Sequence, residues 1–231
     1  MNVLVEACVD SVASALAAER GGAGRLELCD NLFDGGTTPS AGMIAAVKAA
    51  VRIPVFVIVR PRGGGFVYTP DEFSVMRLDI ETTRMLDAEQ LEPLVDAAAT
   101  LPVTFHRAFD LASDQEQALE VLMQLRVARV LTSGGAPTAL EGVERIAVLT
   151  RRAAGQITVM AGGGVREETV QEIVHRAGVR EVHVRGARVV RAPADAAGNG
   201  IRLRKPFPAD ESAWEETDER RIREFVRLAN G

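Results

Sequence analysis

Along the chain, short runs of β-branched and apolar residues alternate with longer Ala/Leu/Glu-rich segments whose apolar positions recur at helical spacing. Unbroken apolar runs suit strands covered on both faces, as in a parallel sheet. The runs that stand out are Val3–Ala7, Leu26–Leu28, Val55–Val59, Val103–Phe105, Val130–Leu131, Ile157–Met160 and Val182–Val184. Helices are predicted over Ser11–Arg20, Ser40–Val51, Asp71–Leu86, Ala88–Thr100, 114–125, 138–153, 167–177 and 216–229, several introduced by Asp or Ser caps or by proline. Strand–helix alternation defines an α/β protein.

The spacing carries more than the alternation. Most of these strands begin about 22–30 residues from a neighbour, one βα unit each, but the step from Val55 to Val103 is about twice as long and holds two helices in succession. Neighbouring parallel strands are normally joined through one helix. Restoring one strand there gives the eight units of a TIM (β/α)8 barrel, so the chain reads as such a barrel with one unit missing between Leu86 and Asp87. The competing architecture is an open, doubly wound sheet of seven strands. No linker divides residues 1–231, which read as one domain; Ala192–Gly200 reads as a surface connection or lid.

Composition narrows the partners. The chain has 231 residues, 47% hydrophobic and 26% charged, with 27 Lys plus Arg against 32 Asp plus Glu. A net charge of −5 without a basic block disfavours nucleic acid and anionic membrane surfaces. No apolar run reaches the roughly 20 residues of a membrane span, and MNVLVEACVDS lacks a secretory leader. Two cysteines are too few for a disulfide framework and fit a reducing, cytoplasmic setting.

Chemistry in such folds gathers at the carboxyl ends of the strands. Alternation places Glu6 with Cys8, and Glu27 with Cys29, on one face of their strands, and the same parity brings Arg60, Arg62, Thr104, His106 and His183 towards the barrel axis. Glu6 and Glu27, as buried carboxylates, are expected to pair with Arg60 and Arg62. His106 is the candidate general acid or base, oriented by Asp110 or Glu27. His175 reads as a solvated helix residue, and Trp214 as packing for the terminal segment. A salt-bridged barrel interior without chemistry remains the plain alternative. Gly162, Gly163 and Gly164 before a helix form a candidate anion cradle, with Thr132, Ser133, Gly134 and Gly135 as a second wall. No Walker lysine or GxGxxG accompanies these loops, which disfavours nucleotides. Cys8 and Cys29 end neighbouring strands and are a candidate thiolate pair for a soft ion such as Cu(I). Two function classes follow: a soft-metal binder, or an enzyme acting on a small anionic, possibly phosphorylated, metabolite.

The stretches EACVDS (6–11), GGAGRLELCDNL (21–32), GGTTPS (35–40), RPRGGGF (60–66), PVTFHRAFD (102–110), VLTSGGAPTALEG (130–142) and MAGGGV (160–165), in this order, resemble the CutC family. The resemblance implies a TIM barrel, a cytoplasmic location, a homodimer or higher assembly, and copper homeostasis with Cu(I) held by cysteines, here Cys8 and Cys29. Two departures stand out. A strand and turn of the GADGVVFG type is missing before Ala88, and the family's HGSA-like ending is replaced by His183-Val184-Arg185-Gly186.

Overall fold

The computed structural model describes residues 2–83, 101–191 and 213–231. Its main sheet contains β1 (Leu4–Val9), β2 (Arg25–Leu28), β3 (Val55–Val57), β4 (Thr104–Phe105), β5 (Arg129–Thr132), β6 (Thr158–Ala161) and β7 (Glu181–Val184). The strands lie in the order β3-β2-β1-β7-β6-β5-β4, and every neighbouring pair is parallel. The first strand pairs with the last, Leu4 opposite Glu181 and Ala7 opposite Val184. A doubly wound sheet would leave those strands apart or reverse its order at a switch point. This order is instead that of a barrel cut once. Among the described residues the cut falls between β3 and β4, at the double-length interval where the sequence lacks a unit. The Leu86–Asp87 junction, the helix expected over Ala88–Thr100 and the loop Ala192–Gly200 lie outside the described residues.

Around the sheet run α1 (Val12–Arg20), α2 (Ala41–Ala50), α3 (Pro70–Thr83), α4 (Gln115–Gln124), α5 (Val143–Ala153), α6 (Glu167–Ala177) and α7 (Glu219–Ala229). Ser11, Ser40, Asp114 and Asp218 cap their helices by accepting first-turn amides, which explains why each helix starts where it does. Helix α5 begins later than the expected 138 because the chain folds back on itself first. A Cβ at Gly142 would stand 1.9 Å from the Ser133 carbonyl oxygen. The last helix also starts later than expected. Residues 213–217 form a strand, β9 (Ala213–Thr217), antiparallel to β8 (Ala187–Arg191), and this pair was not anticipated. Trp214 lies in β9 opposite Val190, half-exposed, with its Nε1 donating to Glu216 at 2.9 Å.

Strand parity sorts the side chains as expected. Val5, Ala7, Val9, Leu26, Leu28, Val130, Val159, Val182 and Val184 face the helices and join one continuous apolar core. Their alternates point the other way. Cys8, Cys29 and Ile58 form a separate small cluster, and charged residues occupy the rest of the interior.

Candidate metal and anion site

The interior is built in two levels. In the lower one, Glu6 accepts from Nε of Arg25, whose Nη2 donates to Glu181; Arg129 reaches Glu181 at 3.1 Å. Phe56 carries both guanidinium groups, each 5.1 Å from its ring centroid. Glu6 and Arg25 are each 2% exposed. The expected pairing of Glu6 with Arg60 or Arg62 is therefore corrected. Arg25 stands two residues before Glu27 on β2, shares its inward face and lies directly opposite Glu6 in the β1–β2 register. This level is the salt-bridged interior that the sequence offered as the plain alternative.

The upper level opens into a cavity of about 330 Å³ lined by residues from the ends of all seven strands, among them Cys8, Glu27, Cys29, Arg60, His106 and His183. At its floor the Cys8 and Cys29 Sγ atoms are 3.7 Å apart, and Cys29 Sγ is 3.5 Å from Oε2 of Glu27. One donor atom from each of these three side chains falls within 4.8 Å of the others. His183 ties the levels together: Nδ1 meets Glu6 Oε1 at 2.8 Å, and Nε2 stands 3.7 Å from Glu27 Oε2.

These groups set one another's protonation. The hydrogen bond from Cys29, against the opposing effect of burial, and then His183 and Arg185, bring the Cys8 thiol down to about 5. Its partner bears the reverse effect: sharing that bond with Cys8, together with burial, pushes Cys29 well above the ordinary thiol value. Burial, with the charges of Cys8 and Glu6, pushes Glu27 up to about 8 despite His183. Burial alone would lower His183, but the charge of Glu27 and the hydrogen bonds to Cys8 and Glu6 raise it well above the imidazole range. Burial likewise opposes ionisation of Glu6, yet His183 and Arg25 hold its carboxyl below the usual value. These contacts favour ionisation of Cys8 over Cys29 and the protonated form of His183.

The other expected site residues divide. Arg60 lines the cavity but is committed to backbone: Nη1 donates to Asp34 and Gly36 carbonyls at 2.8 and 2.7 Å, and Nη2 to Gly64 at 2.8 Å. Arg62 leaves the cavity altogether, pairing with Glu72 at the surface. Both miss their expected carboxylates because β3 stops at Val57, and strand parity does not extend past a strand's end. His106 does line the cavity. Its Nδ1 accepts from the Ala108 amide at 3.1 Å, which leaves the proton on Nε2, and burial holds its pKa down at about 4, so the ring is neutral.

Asp110 does not orient His106. Its carboxylate accepts from Thr132 Oγ1, the Ser133 amide and hydroxyl, the Gly135 amide and Nε of Arg107. The wall expected to cradle a ligand anion, Thr132 to Gly135, is filled by the protein's own carboxylate, with Gly134 donating to Thr132. Those donors outweigh burial and hold Asp110 below its ordinary value. The second cradle is different. Gly162 is packed closely, since a Cβ there would lie 2.5 Å from Leu131 Cδ1 and displace that side chain. Gly163, at φ +101°, faces Arg107, whose Cζ would be 2.8 Å from an added Cβ. The amides of Gly163, Gly164 and Val165 have no acceptor among the described residues and border the cavity.

Arg107 and Arg185 are cavity residues that the sequence reading passed over. Each directly follows a strand-end histidine or its neighbour, and that adjacency was the available signal. Arg185 donates to the Cys8 carbonyl and Thr217 Oγ1, both at 3.2 Å, and approaches Asp10 at 3.4 Å. His175 lies on α6 as expected.

A parallel barrel-type sheet whose strand ends converge on a thiol–carboxylate cluster defines the class of protein. The comparisons then place it: the CutC family profile matches residues 3–187, and the chain belongs to that family. It is 47% identical over 196 residues to a copper homeostasis protein cutC homolog of Mus musculus, covering 78% of this chain and 72% of the relative. A family protein CutC of Xanthomonas campestris is 40% identical over 241 positions, covering 97% of this chain and 98% of the relative. That alignment is longer than the 231 residues here, so it contains relative residues without a counterpart in this chain, in keeping with a missing unit. A solved CutC from Streptococcus agalactiae superposes with a TM-score of 0.73 at 34% identity, covering 78% of this chain and 97% of that one. Phosphoribosylanthranilate isomerase from Pyrococcus furiosus, at 17% identity and a TM-score of 0.59, covers 99% of this chain and shares the barrel fold.

Proposed function

We propose that the cavity floor binds Cu(I) through the thiolates of Cys8 and Cys29, with the Glu27 carboxylate as a third donor. The observation that carries this reading is the approach of the three donor atoms to within 4.8 Å of one another. Two thiolates suit a soft monovalent ion and carry the affinity, while the harder Glu27 carboxylate is the weaker third donor. Holding Cys8 as a thiolate removes one deprotonation that metal capture would otherwise require. Copper homeostasis in a cytoplasmic setting, as a homodimer, is the wider reading. Its support is family membership, the reduced cysteine pair and the lack, among the described residues, of a helix long and apolar enough to cross a membrane. The test is an anaerobic competition titration against a chromophoric Cu(I) chelator. One equivalent should bind tightly to the native chain and none to a Cys8→Ser/Cys29→Ser variant; equal binding by both overturns the proposal.

A second reading rests on a separate observation, the unpartnered amides of Gly163, Gly164 and Val165 opposite Arg107. Backbone donors and a guanidinium at one rim favour a small phosphate or carboxylate group. In that reading the cavity holds an anionic metabolite, with the neutral His106 donating from Nε2 and Glu27 exchanging a proton near neutral pH. Arg107 keeps Nη1 beside Gly163 while Nε and Nη2 are held by Asp110 and Ser133. Glu6, Arg60, Arg62 and Asp110 support the reading only through structure, since each is bonded within the protein. Stabilisation by phosphate, sulfate or a carboxylate in a thermal-shift series, lost in Arg107→Ala, is expected. A flat response across all three anions contradicts it.

A further inference from the structure

We propose that Cys8 and Cys29 form a peroxide-oxidisable modification site, closing to an intramolecular disulfide that switches off the thiol pair. The inference uses geometry that metal binding does not demand. The two sulfurs are already in contact at 3.7 Å, and a disulfide needs about 2.0–2.1 Å between them. Both side chains issue from the same face of neighbouring strands, with Cys29 N donating to Val9 O at 2.9 Å. Cys8 stands opposite Glu27 in the register, so Cys29 is its diagonal neighbour, and closure combines side-chain rotation with a shift of the chain at Cys29, just past the end of β2. Gly36 borders Cys29 on the side away from the sheet. A Cβ there would press on Sγ at 3.2 Å, so the glycine keeps this sulfur in a compact seat facing its partner.

Access is the second requirement. Both cysteines line the open cavity although they are 7% and 1% exposed, so a peroxide reaches them only through the strand-end mouth and a second protein thiol does not. The chemistry is a two-electron oxidation in two displacements. The Cys8 sulfur attacks hydrogen peroxide, the O–O bond breaks, and Cys8 sulfenic acid and one water form. The Cys29 sulfur then attacks the sulfenic sulfur, the S–O bond breaks, the S–S bond forms and the second water leaves with the Cys29 thiol proton. Two thiols are oxidised for one peroxide reduced, and a dithiol reductant reverses the step. Burial of the pair favours the intramolecular product over mixed disulfides.

Only the consequence for metal rests on the Cu(I) reading: the disulfide form should not bind Cu(I), and bound Cu(I) should protect the thiols. The test treats the whole reduced chain with hydrogen peroxide in excess of about two equivalents per chain, alkylates remaining thiols after denaturation and measures the intact mass. The expected product is a monomer about 2 Da lighter, with neither cysteine alkylated, returning to two alkylated cysteines after reduction. In Cys29→Ser, which lacks the second thiol, Cys8 should advance to the sulfinic acid, about 32 Da heavier. Sulfinic acid at Cys8 in the native chain, or a disulfide-linked dimer, overturns the proposal. A disulfide that forms while Cu(I) binding persists overturns the metal reading and leaves this one standing; Cu(I) binding without any disulfide does the reverse.

Discussion

Oε1 of Glu6 lies 2.8 Å from Nδ1 of His183, while the other oxygen of the same carboxylate takes Nε of Arg25. The contact fixes the imidazole ring, whose Nε2 is thereby turned towards Glu27 and the thiols. A largely buried charge layer thus positions a ring that spans both levels of the interior.

Breaking this layer from one side should be costly. Arg25→Ala leaves Glu6 with His183 and Glu181 with Arg129 as their remaining partners in the interior, and loses the contact with Phe56. Removal of one partner of a buried pair typically costs about 3–5 kcal/mol. Urea unfolding should show a loss of that order, and Glu6→Gln combined with Arg25→Met should recover part of it. A loss below about 1 kcal/mol for Arg25→Ala would show that the layer is not holding a charge.

Protonation at the floor predicts how stability changes with pH. His183 keeps its proton well above the ordinary value of 6.5 on folding, so its contribution is complete below pH 6.5 and fades as pH rises through the folded value. Glu27, shifted from 4.5 to about 8, also holds a proton that the unfolded chain releases, and acts in the same direction. Cys8 opposes them: lowered from 9.0 to about 5, it is ionised folded and protonated unfolded. Between about pH 7 and 8 the folded state therefore holds more protons than the unfolded one, and stability should fall as pH rises. Chemical denaturation at a series of pH values checks this. The fall should steepen in Cys8→Ser and flatten in Glu27→Gln; a rise with pH in the native chain contradicts these directions.

A side chain at Gly162, at the start of the second cradle, should be destabilising. A Cβ at Gly162 meets Leu131 Cδ1 at 2.5 Å and His183 Cβ at 3.0 Å, whereas one at Gly65 meets nothing within 4 Å. Gly162→Ala should cost about 1–3 kcal/mol and displace the His183 ring, and Gly65→Ala should be near neutral. Thermal unfolding of the two variants measures the difference.

Asp110 acts as an internal anion for the loop after β5, so an external one should replace it. Asp110→Ala removes an acceptor from Thr132, Ser133, Gly135 and Arg107 together. Stability should fall by about 2 kcal/mol or more, because several buried donors lose their partner at once. Acetate or formate should raise the melting temperature of the variant by more than that of the native chain; equal responses would contradict the filled cradle.

What was legible in the sequence follows from how regular the backbone is at each position. Cys8, Glu27, Cys29, His106 and His183 lie on or next to strands, where alternation determines the face, and all of them reach the cavity. Arg60 and Arg62 lie beyond the end of β3, where no period governs direction, and their partners depend on loop carbonyls and Glu72. Asp110 and the Thr132–Gly135 loop satisfy one another across 22 to 25 residues, a competition between internal and external ligands that spacing does not encode. The double-length interval was visible as spacing and reappears as the break between β3 and β4. The β8–β9 pair was missed because its residues, rich in arginine and glutamate, carry little of the apolar signal that marks a strand.

The most direct measurement is X-ray absorption at the copper edge on the chain loaded anaerobically with one equivalent of Cu(I). Two sulfur scatterers at thiolate bond length, with a single lighter oxygen, are predicted from Cys8, Cys29 and Glu27. A first shell of nitrogen and oxygen alone, or an unchanged spectrum in Cys8→Ser/Cys29→Ser, would contradict the assignment of the cavity floor.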